Sequence, residues 1–262
     1  MTRIAIREIR RNLYQMGKLT NIPALFQVVA SVRGFNKNIL EIEKAVEAGD
    51  SKAEKELIAE ASYDWASDMA KRFQLSVEVY GRENIPEKNG LVFISNHQGY
   101  GDIMILFLAL QGKQVGFIAK DSLEKVPYFG RWIKAIGGYF IQRKNPKDAL
   151  RSLSKGAEHL KSGYNLAIFP EGTRSKGPEM SPFKAGSFKL ATMAKATIVP
   201  VTINGSYHLF EEKGYCVKGT HASVTIHPPV DTEGLNRKEL AQATADIEET
   251  IRSAINESPP EE

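Results

Sequence analysis

The stretch Asn96-His97-Gln98-Gly99-Tyr100-Gly101-Asp102 lies between two apolar runs, residues 91–95 and residues 103–110. The first run is short and bounded by turn-forming residues, which is typical of a buried strand. The two glycines interrupt any helical pattern until Asp102, which can cap the apolar run that follows. The stretch therefore predicts a strand that ends, a turn that exposes a histidine, and a helix that begins at the aspartate.

His97 and Asp102 are five residues apart, a separation that would place them on different faces of a regular helix, so they can meet only through a turn. One imidazole nitrogen would then bond the carboxylate while the other accepts a proton, as in the base and orienting acid of a catalytic triad. No Gly-x-Ser-x-Gly motif occurs, and Cys216 lies far away without a companion motif, so the substrate itself would be the nucleophile. The plainer alternative is that Asp102 only caps a helix and His97 is an ordinary turn residue.

The amino-acid composition limits the class of protein to which this chain can belong. The chain has 262 residues, is 42% hydrophobic and carries a formal net charge of +4, which suits one folded domain with a substantial core, with or without an added segment. Its single cysteine excludes an intramolecular disulfide and fits a reducing compartment. The mild positive charge permits anionic ligands or lipid surfaces, but the dense basic and aromatic pattern of a nucleic-acid groove is missing from the sequence, so we expect no nucleic-acid partner.

Residues 1–37 concentrate positive charge beside apolar stripes. No apolar run approaches the roughly 20 residues that a membrane-spanning helix requires, and arginines interrupt any secretory signal. The spacing instead predicts basic amphipathic helices that lie on an anionic membrane surface. Our hypothesis is that they form a peripheral or monotopic tether on the cytoplasmic side of the cell inner membrane. The alternative is that these stripes pack on the core. The predicted membrane-contacting residues are Arg3, Arg7, Arg10, Arg11, Ile22, Leu25, Phe26, Val29 and Val32.

The remaining chain alternates strand and helix patterns. Residues 50–73 read as a helix that begins with the capping-box sequence Ser51-Lys52-Ala53-Glu54. After residue 76, short apolar runs alternate with amphipathic segments, which indicates a layered α/β fold with a largely parallel, or mixed, central sheet flanked by helices. We therefore expect a helical segment over residues 1–75, an α/β domain over residues 76–257 and a polar tail over residues 258–262. The predicted strands are 77–80, 91–95, 115–120, 139–143, 165–170, 198–203 and 223–227, and the predicted helices after Asp102 include 148–160, 183–195 and 237–255.

A second polar stretch, Phe169-Pro170-Glu171-Gly172-Thr173-Arg174-Ser175, also follows a predicted strand. Lys120 and Arg143 likewise end apolar strands. Cations at neighbouring strand ends suit a phosphate group, since Arg offers a planar fork and Lys a point charge. The alternatives are that Glu171 and Arg174 form only a local ion pair and that Lys120 is an ordinary solvated lysine.

Together these stretches resemble the glycerolipid acyltransferase family, most closely the bacterial lysophosphatidate acyltransferases. Four blocks match in order: residues 96–102, 126–143, 169–175 and 198–201. The third block is the most specific, and it is followed here by Phe-Lys-Ala-Gly at residues 183–186. Family members often have Ser where this chain has Gly99. The resemblance covers roughly half of the chain, and the ends show none.

The resemblance implies transfer of a fatty acyl group from a thioester to the sn-2 hydroxyl of lysophosphatidic acid, which forms phosphatidic acid. His97 would be the general base and Asp102 its orienting partner. By the family pattern Arg143 and Arg174 would hold the phosphate, Glu171 would position the glycerol, and Lys120 would add positive charge. The full set of implied substrate-binding residues is Lys120, Arg143, Glu171, Gly172, Thr173 and Arg174.

The partners implied are lysophosphatidic acid and either acyl-CoA or acyl carrier protein, with no cofactor and no metal, because a thioester is already activated. Nothing in the sequence chooses between the two donors. Three alternatives stay open at this point: an acyltransferase for another lysophospholipid or for glycerol-3-phosphate, a non-catalytic lipid-binding module, and a metal-dependent hydrolase that uses His97 and Asp102 as ligands. No second histidine stands at ligand spacing from that pair.

Overall fold

The computed structural model describes residues 35–125, 128–141 and 146–255. All the predicted membrane-contacting residues of the tether, the polar tail and Arg143 lie outside these ranges. The described helices are α1 (Asn36–Glu47), α2 (Ser51–Phe73), α3 (Asp102–Ala109), α4 (Phe129–Ala135), α5 (Pro146–Lys161), α6 (Lys189–Ala194) and α7 (Arg237–Ala254). The described strands are β1 (Ser76–Tyr80), β2 (Val92–Ser95), β3 (Gly116–Lys120), β4 (Tyr139–Ile141), β5 (Leu166–Ile168), β6 (Thr197–Asn204), β7 (His221–Ile226) and β8 (Val230–Asp231).

The strands form one mixed sheet in the order β1-β7-β6-β2-β5-β3-β4, and β8 pairs with β6. The neighbours of β2 are both parallel to it: Ile94 is in register with Ile168 of β5 and with Pro200 of β6. Only the pairs that β6 makes with β7 and β8 are antiparallel within the described sheet. The predicted layered α/β fold with a largely parallel sheet is therefore confirmed, and the sheet is mixed at one side.

Side chains of β2 alternate between two helical layers. Phe93 packs into a cluster with α1 to α4, whereas Val92 and Ile94 pack into a cluster with α5, α6 and α7. All four residues of β2 are buried, as expected for a central parallel strand that helices cover on both faces. Because β2 is the central strand, its carboxyl end carries the histidine turn into the middle of that sheet edge.

Residues 35–75 share the core of the sheet. Phe35, Ile39 and Ile58 are buried in the same cluster as Phe93. The division predicted at residue 76 stays a prediction, but these helices pack on the α/β layers directly. The sequence prediction missed α1, α4 and β8. None of the described helices is long and apolar enough to cross a membrane.

Two predictions about where helices begin were wrong. The cap of α2 is Asp50, whose carboxylate accepts from the backbone N of Ala53 at 2.9 Å, rather than Ser51. Predicted helix 183–195 is shorter than expected, because a 3-10 turn at Ala185–Phe188 precedes α6. Both differences arise at helix starts, where several polar residues compete for the free N–H groups.

The surroundings of His159 in α5 affect the pKa of its imidazole. Its ring stacks on Tyr164 with centroids 4.0 Å apart, and its Nε2 donates to the carbonyl of Gly137 at 2.8 Å. Burial lowers the pKa of His159 below its ordinary value of 6.5. At mildly acidic pH the imidazole therefore binds a proton less readily in the folded protein than in the unfolded chain.

We predict that the free energy of unfolding decreases as the pH falls below about 6.5, because protons then bind the unfolded state preferentially. The His159→Gln variant should lose this part of the pH dependence. Denaturant unfolding of both proteins between neutral pH and mildly acidic pH measures the difference in slope. Identical slopes would show that His159 does not contribute.

Candidate active site

The histidine turn connects the end of β2 to the start of α3. His97 Nδ1 lies 2.6 Å from Asp102 Oδ2, so the two side chains meet through the turn. The Asp102 side chain is fully buried, while that of His97 is 20% exposed. Because the carboxylate accepts, Nδ1 carries the hydrogen, and the lone pair of Nε2 is the part of the ring that can take a proton.

Two further groups donate to the Asp102 carboxylate. The backbone N of Gly99 lies 2.9 Å from Oδ2, and the hydroxyl of Ser206 donates to Oδ1. The side chain thus bends back into the turn, and α3 begins without a side-chain cap. The expectation that Asp102 caps this helix was wrong, because satisfying a buried carboxylate outweighs one capping bond.

The turn is also fixed to the end of β6. Asn96 donates to the carbonyl of Ile203 and accepts from its backbone N, both at 2.8 Å. Gln98 accepts from the backbone N of Ser206 at 3.2 Å. Asn96, Gln98 and Ser206 are all buried. The polar residues on either side of His97 therefore bind β6 and the turn that follows it, and the histidine is the one of the three that reaches toward solvent.

The loop after β5 lies against the same turn. Glu171 accepts from the backbone N of His97 at 2.6 Å and from the backbone N of Ser181 at 2.8 Å. Ser175 N in turn donates to the carbonyl of His97 at 2.8 Å. Glu171 is buried, and this burial raises the pKa of its carboxyl group. In the structure Glu171 thus joins the two loops, and its predicted contact with the substrate glycerol stays a prediction.

Arg174 does not pair with Glu171. Its Nη1 lies 2.9 Å from Oε1 of Glu211, and its guanidinium carbon lies 3.4 Å from the centroid of the Tyr100 ring. The alternative of a local ion pair between Glu171 and Arg174 is therefore wrong. Burial raises the pKa of Glu211, and Arg174 acts in the opposite direction.

An apolar cavity of about 700 Å³ opens beside His97. The His97 ring stacks on Phe169, with centroids 4.1 Å apart and planes 18° apart. Lys120, at the end of β3, and Lys184 also line this cavity. Most of the lining is apolar and comes from α4, α5, α6, the strands and the turn after β3, including Phe117, Ile118, Leu123, Phe129, Trp132, Ile133, Ile141, Leu150, Leu153 and Leu190.

Gly172, Thr173 and Arg143 were also predicted to bind the substrate. Gly172 has a φ of +73°, which favours glycine, and the stem of Lys184 packs over it where a side chain would otherwise lie. Thr173 is exposed. Arg143 lies outside the described residues, so its predicted phosphate contact is untested.

Sequence reasoning missed Ser206, Glu211, Lys184 and the roles of Asn96 and Gln98. Ser206 follows the long buried strand β6, so a polar residue directly after a strand was the available signal. Glu211 had no local signal, because it is more than a hundred residues from its partner Tyr100. Within residues 35–125, 128–141 and 146–255, no group of three His, Cys, Asp or Glu side chains could hold a metal ion.

A family model described as Acyltransferase matches residues 76–204. The match contains the histidine turn, the loop after β5 and the end of β6, which together form the site. Residues 76–204 are therefore similar to the acyltransferase family.

Proteins similar to this chain carry a more specific name. A Saccharomyces cerevisiae protein named 1-acyl-sn-glycerol-3-phosphate acyltransferase is 34% identical over 187 residues, which cover 70% of this chain and 61% of that protein. A Borreliella burgdorferi protein of the same name is 29% identical, over 68% of this chain and 70% of that protein. The matched part thus spans less than two thirds of the yeast protein. The crystal structure of the 1-acyl-sn-glycerophosphate (LPA) acyltransferase PlsC from Thermotoga maritima has the same fold, with a TM-score of 0.66 and 24% identity over 88% of this chain and 94% of that one.

We predict that Ser206→Ala lowers the free energy of unfolding by about 1–3 kcal/mol, since it leaves the buried Asp102 carboxylate with one donor fewer. Ser253→Ala is the matched control, because Ser253 is exposed and its hydroxyl donates to the carbonyl of Thr250 in the same helix, and it should change stability by less than about 0.5 kcal/mol. Chemical denaturation measures both. Equal effects of the two substitutions would mean that the Ser206 hydroxyl does not support Asp102.

Proposed function

We propose that this protein transfers a fatty acyl group from a thioester to the sn-2 hydroxyl of lysophosphatidic acid and so forms phosphatidic acid. The observation that carries the proposal is the His97–Asp102 pair at the mouth of an apolar cavity, beside a loop that carries Arg174. The names of the relatives that match residues of this chain support the same reaction.

The chemistry needs no nucleophile from the protein. His97 Nε2 takes the proton of the acceptor hydroxyl, whose oxygen attacks the thioester carbonyl and forms the new ester bond. The carbon–sulfur bond then breaks, and the imidazolium returns its proton to the leaving thiolate. Asp102, buried and bonded to Nδ1, holds the required tautomer and stabilises the imidazolium. Because a thioester is already activated, this step requires neither metal nor cofactor.

The two ends of the acceptor would bind to different parts of the site. Arg174, Lys120 and Arg143 would contact the phosphate, as a fork and point charges, and Glu171 and the Gly172-Thr173 turn would lie beside the glycerol. The cavity, at about 700 Å³, falls within the range of small-molecule sites. Its apolar lining suits an acyl chain. The donor is acyl-CoA or acyl carrier protein.

We predict that His97→Ala lowers the rate of phosphatidic acid formation by about 10²–10⁴-fold, because it removes the general base. Asp102→Asn should also be severely impaired, because an amide can hold the wrong imidazole tautomer. The assay supplies lysophosphatidic acid with a panel of acyl-CoA and acyl carrier protein donors and identifies the lipid product. His208→Ala is the control, since His208 is an exposed histidine away from the cavity.

Folded His97→Ala protein with the wild-type rate would contradict the mechanism. Wild-type protein that acylates glycerol-3-phosphate or another lysophospholipid instead of lysophosphatidic acid would favour that alternative acceptor. Lipid binding without turnover would favour the non-catalytic module.

We also propose that residues 1–37 tether the enzyme to the cytoplasmic face of the inner membrane. Two observations support this. The basic residues are concentrated in that segment, and the chain enters the described structure through α1, which packs beside α4. Glu43 of α1 and Arg131 of α4 form an ion pair at 2.6 Å, and α4 also lines the cavity through Trp132. The segment would therefore attach next to the opening that a lipid substrate must reach.

We predict that reversing the charges of Arg7, Arg10 and Arg11 to glutamate lowers sedimentation with anionic liposomes by about tenfold or more, since each cation near such a surface contributes about 1 kcal/mol. The binding that remains should be less sensitive to salt. The control makes the same charge change at three exposed lysines, Lys213, Lys218 and Lys238. Equal loss in both variants would show that only net charge matters and would contradict a tether.

A further inference from the structure

The carboxylate of Glu211 connects two parts of the site. Its Oε1 accepts from Arg174 Nη1 and from the backbone N of Tyr100, both at 2.9 Å. The Glu211 side chain is only 3% exposed and that of Arg174 is 19% exposed. Glu211 follows β6, Arg174 follows β5 and Tyr100 belongs to the histidine turn, so one oxygen atom holds together three loops that meet at one edge of the sheet.

These contacts fix the direction of the guanidinium group. One N–H of Arg174 is used by Glu211, and one face of the planar group lies on the Tyr100 ring at 3.4 Å. A guanidinium has several further N–H donors, and it binds a phosphate through two parallel bonds only when its plane is suitably oriented. A flexible arginine would have to lose its rotamer freedom on binding, whereas this one is already ordered.

The position of Glu211 depends on the absence of a side chain at residue 99. A Cβ atom on Gly99 would lie 3.0 Å from Cδ of Glu211 and still closer to Oε2, a separation at which one of the two groups must move. Gly99 itself does not have a positive φ, so backbone conformation does not require glycine here. Within the described residues, Oε2 is buried and has no hydrogen-bond partner. The carboxylate thus occupies the space that another residue 99 would fill.

We propose that Glu211 is a positioning residue for the acceptor phosphate, which acts by orienting Arg174, and that Gly99 supplies the space this carboxylate needs. The inference rests on the proposed function, because it assigns the phosphate of lysophosphatidic acid to Arg174. It adds a carboxylate to a site that would otherwise be described by its cations alone. A negative charge beside an anion site is useful only when it orients the cation. Removing the Glu211 carboxylate should therefore weaken, and not strengthen, the binding of lysophosphatidic acid.

The test compares Glu211→Ala and Glu211→Gln in the full-length protein. Glu211→Ala should raise the KM for lysophosphatidic acid by about tenfold and change kcat much less, since it affects binding and not the general base. Glu211→Gln should restore part of the affinity, because the amide oxygen can accept from Arg174 and Tyr100. Turnover of a monoacylglycerol with the same chain, which lacks the phosphate, should be unchanged. Arg174→Ala is the reference for complete loss of the contact.

Glu212→Gln is the matched control, because the adjacent Glu212 is half exposed and pairs with His208 instead. It should leave both kinetic constants at their wild-type values. Thermal unfolding of every variant separates loss of fold from loss of affinity. If Glu211→Ala does not fold, Glu211→Gln tests the proposal by itself, because a raised KM with a nearly unchanged kcat indicates weaker binding of the acceptor.

The Gly99→Ser variant provides an independent test of the same proposal. It should displace the carboxylate and raise the KM about as much as Glu211→Ala does, and the double variant should be no worse than Glu211→Ala alone, since both changes remove one interaction. Additive effects would overturn the role assigned to Gly99.

Three results would overturn the role of Glu211: an unchanged KM in Glu211→Ala, a lowered KM, which would mean that the carboxylate competes with the phosphate, or an equal loss with both acceptors. Wild-type protein without activity on lysophosphatidic acid would instead refute the proposed function. The two failures are therefore distinguishable.

Discussion

The structure of the site depends on one buried carboxylate. Asp102 is fully buried, and a charge in that position is tolerable only when it is bonded on several sides. His97 Nδ1, the backbone N of Gly99 and the Ser206 hydroxyl provide these bonds. The first two fold the chain back on itself between β2 and α3, and the third joins that turn to the end of β6. The geometry of the histidine is thus a consequence of satisfying the aspartate.

The sheet makes this arrangement possible. Because β5, β2 and β6 are adjacent and parallel, the loops that follow them leave the same edge of the sheet. Glu171 from one loop and Glu211 from another each accept a backbone N–H of the histidine turn, at His97 and at Tyr100. Buried carboxylates therefore occupy both sides of the turn. The remaining direction, past the Phe169 ring, leads into the apolar cavity.

Much of the fold followed from local patterns. Continuous apolar runs predicted the buried strands, and alternation of strands with helices predicted the layers, because burial on both faces leaves a readable pattern in the chain. The short helix α4 and the two-residue strand β8 were missed, since elements of that length carry too few residues for a period to show. The mixed side of the sheet was equally hard to predict, because the apolar run of β7 does not indicate that this strand pairs antiparallel to β6.

The sequence by itself determined that His97 and Asp102 could meet only through a turn, because residues five apart point away from each other on a regular helix. It also placed Lys120 and Arg174 after strands, where loops of a parallel sheet gather. Only the tertiary structure decided the partners of these groups. Arg174 pairs with Glu211 and not with the nearby Glu171, and Asp102 binds Ser206, which is 104 residues away. Such contacts depend on which strands become neighbours, and strand order is set by packing of the whole sheet and not by spacing along the chain.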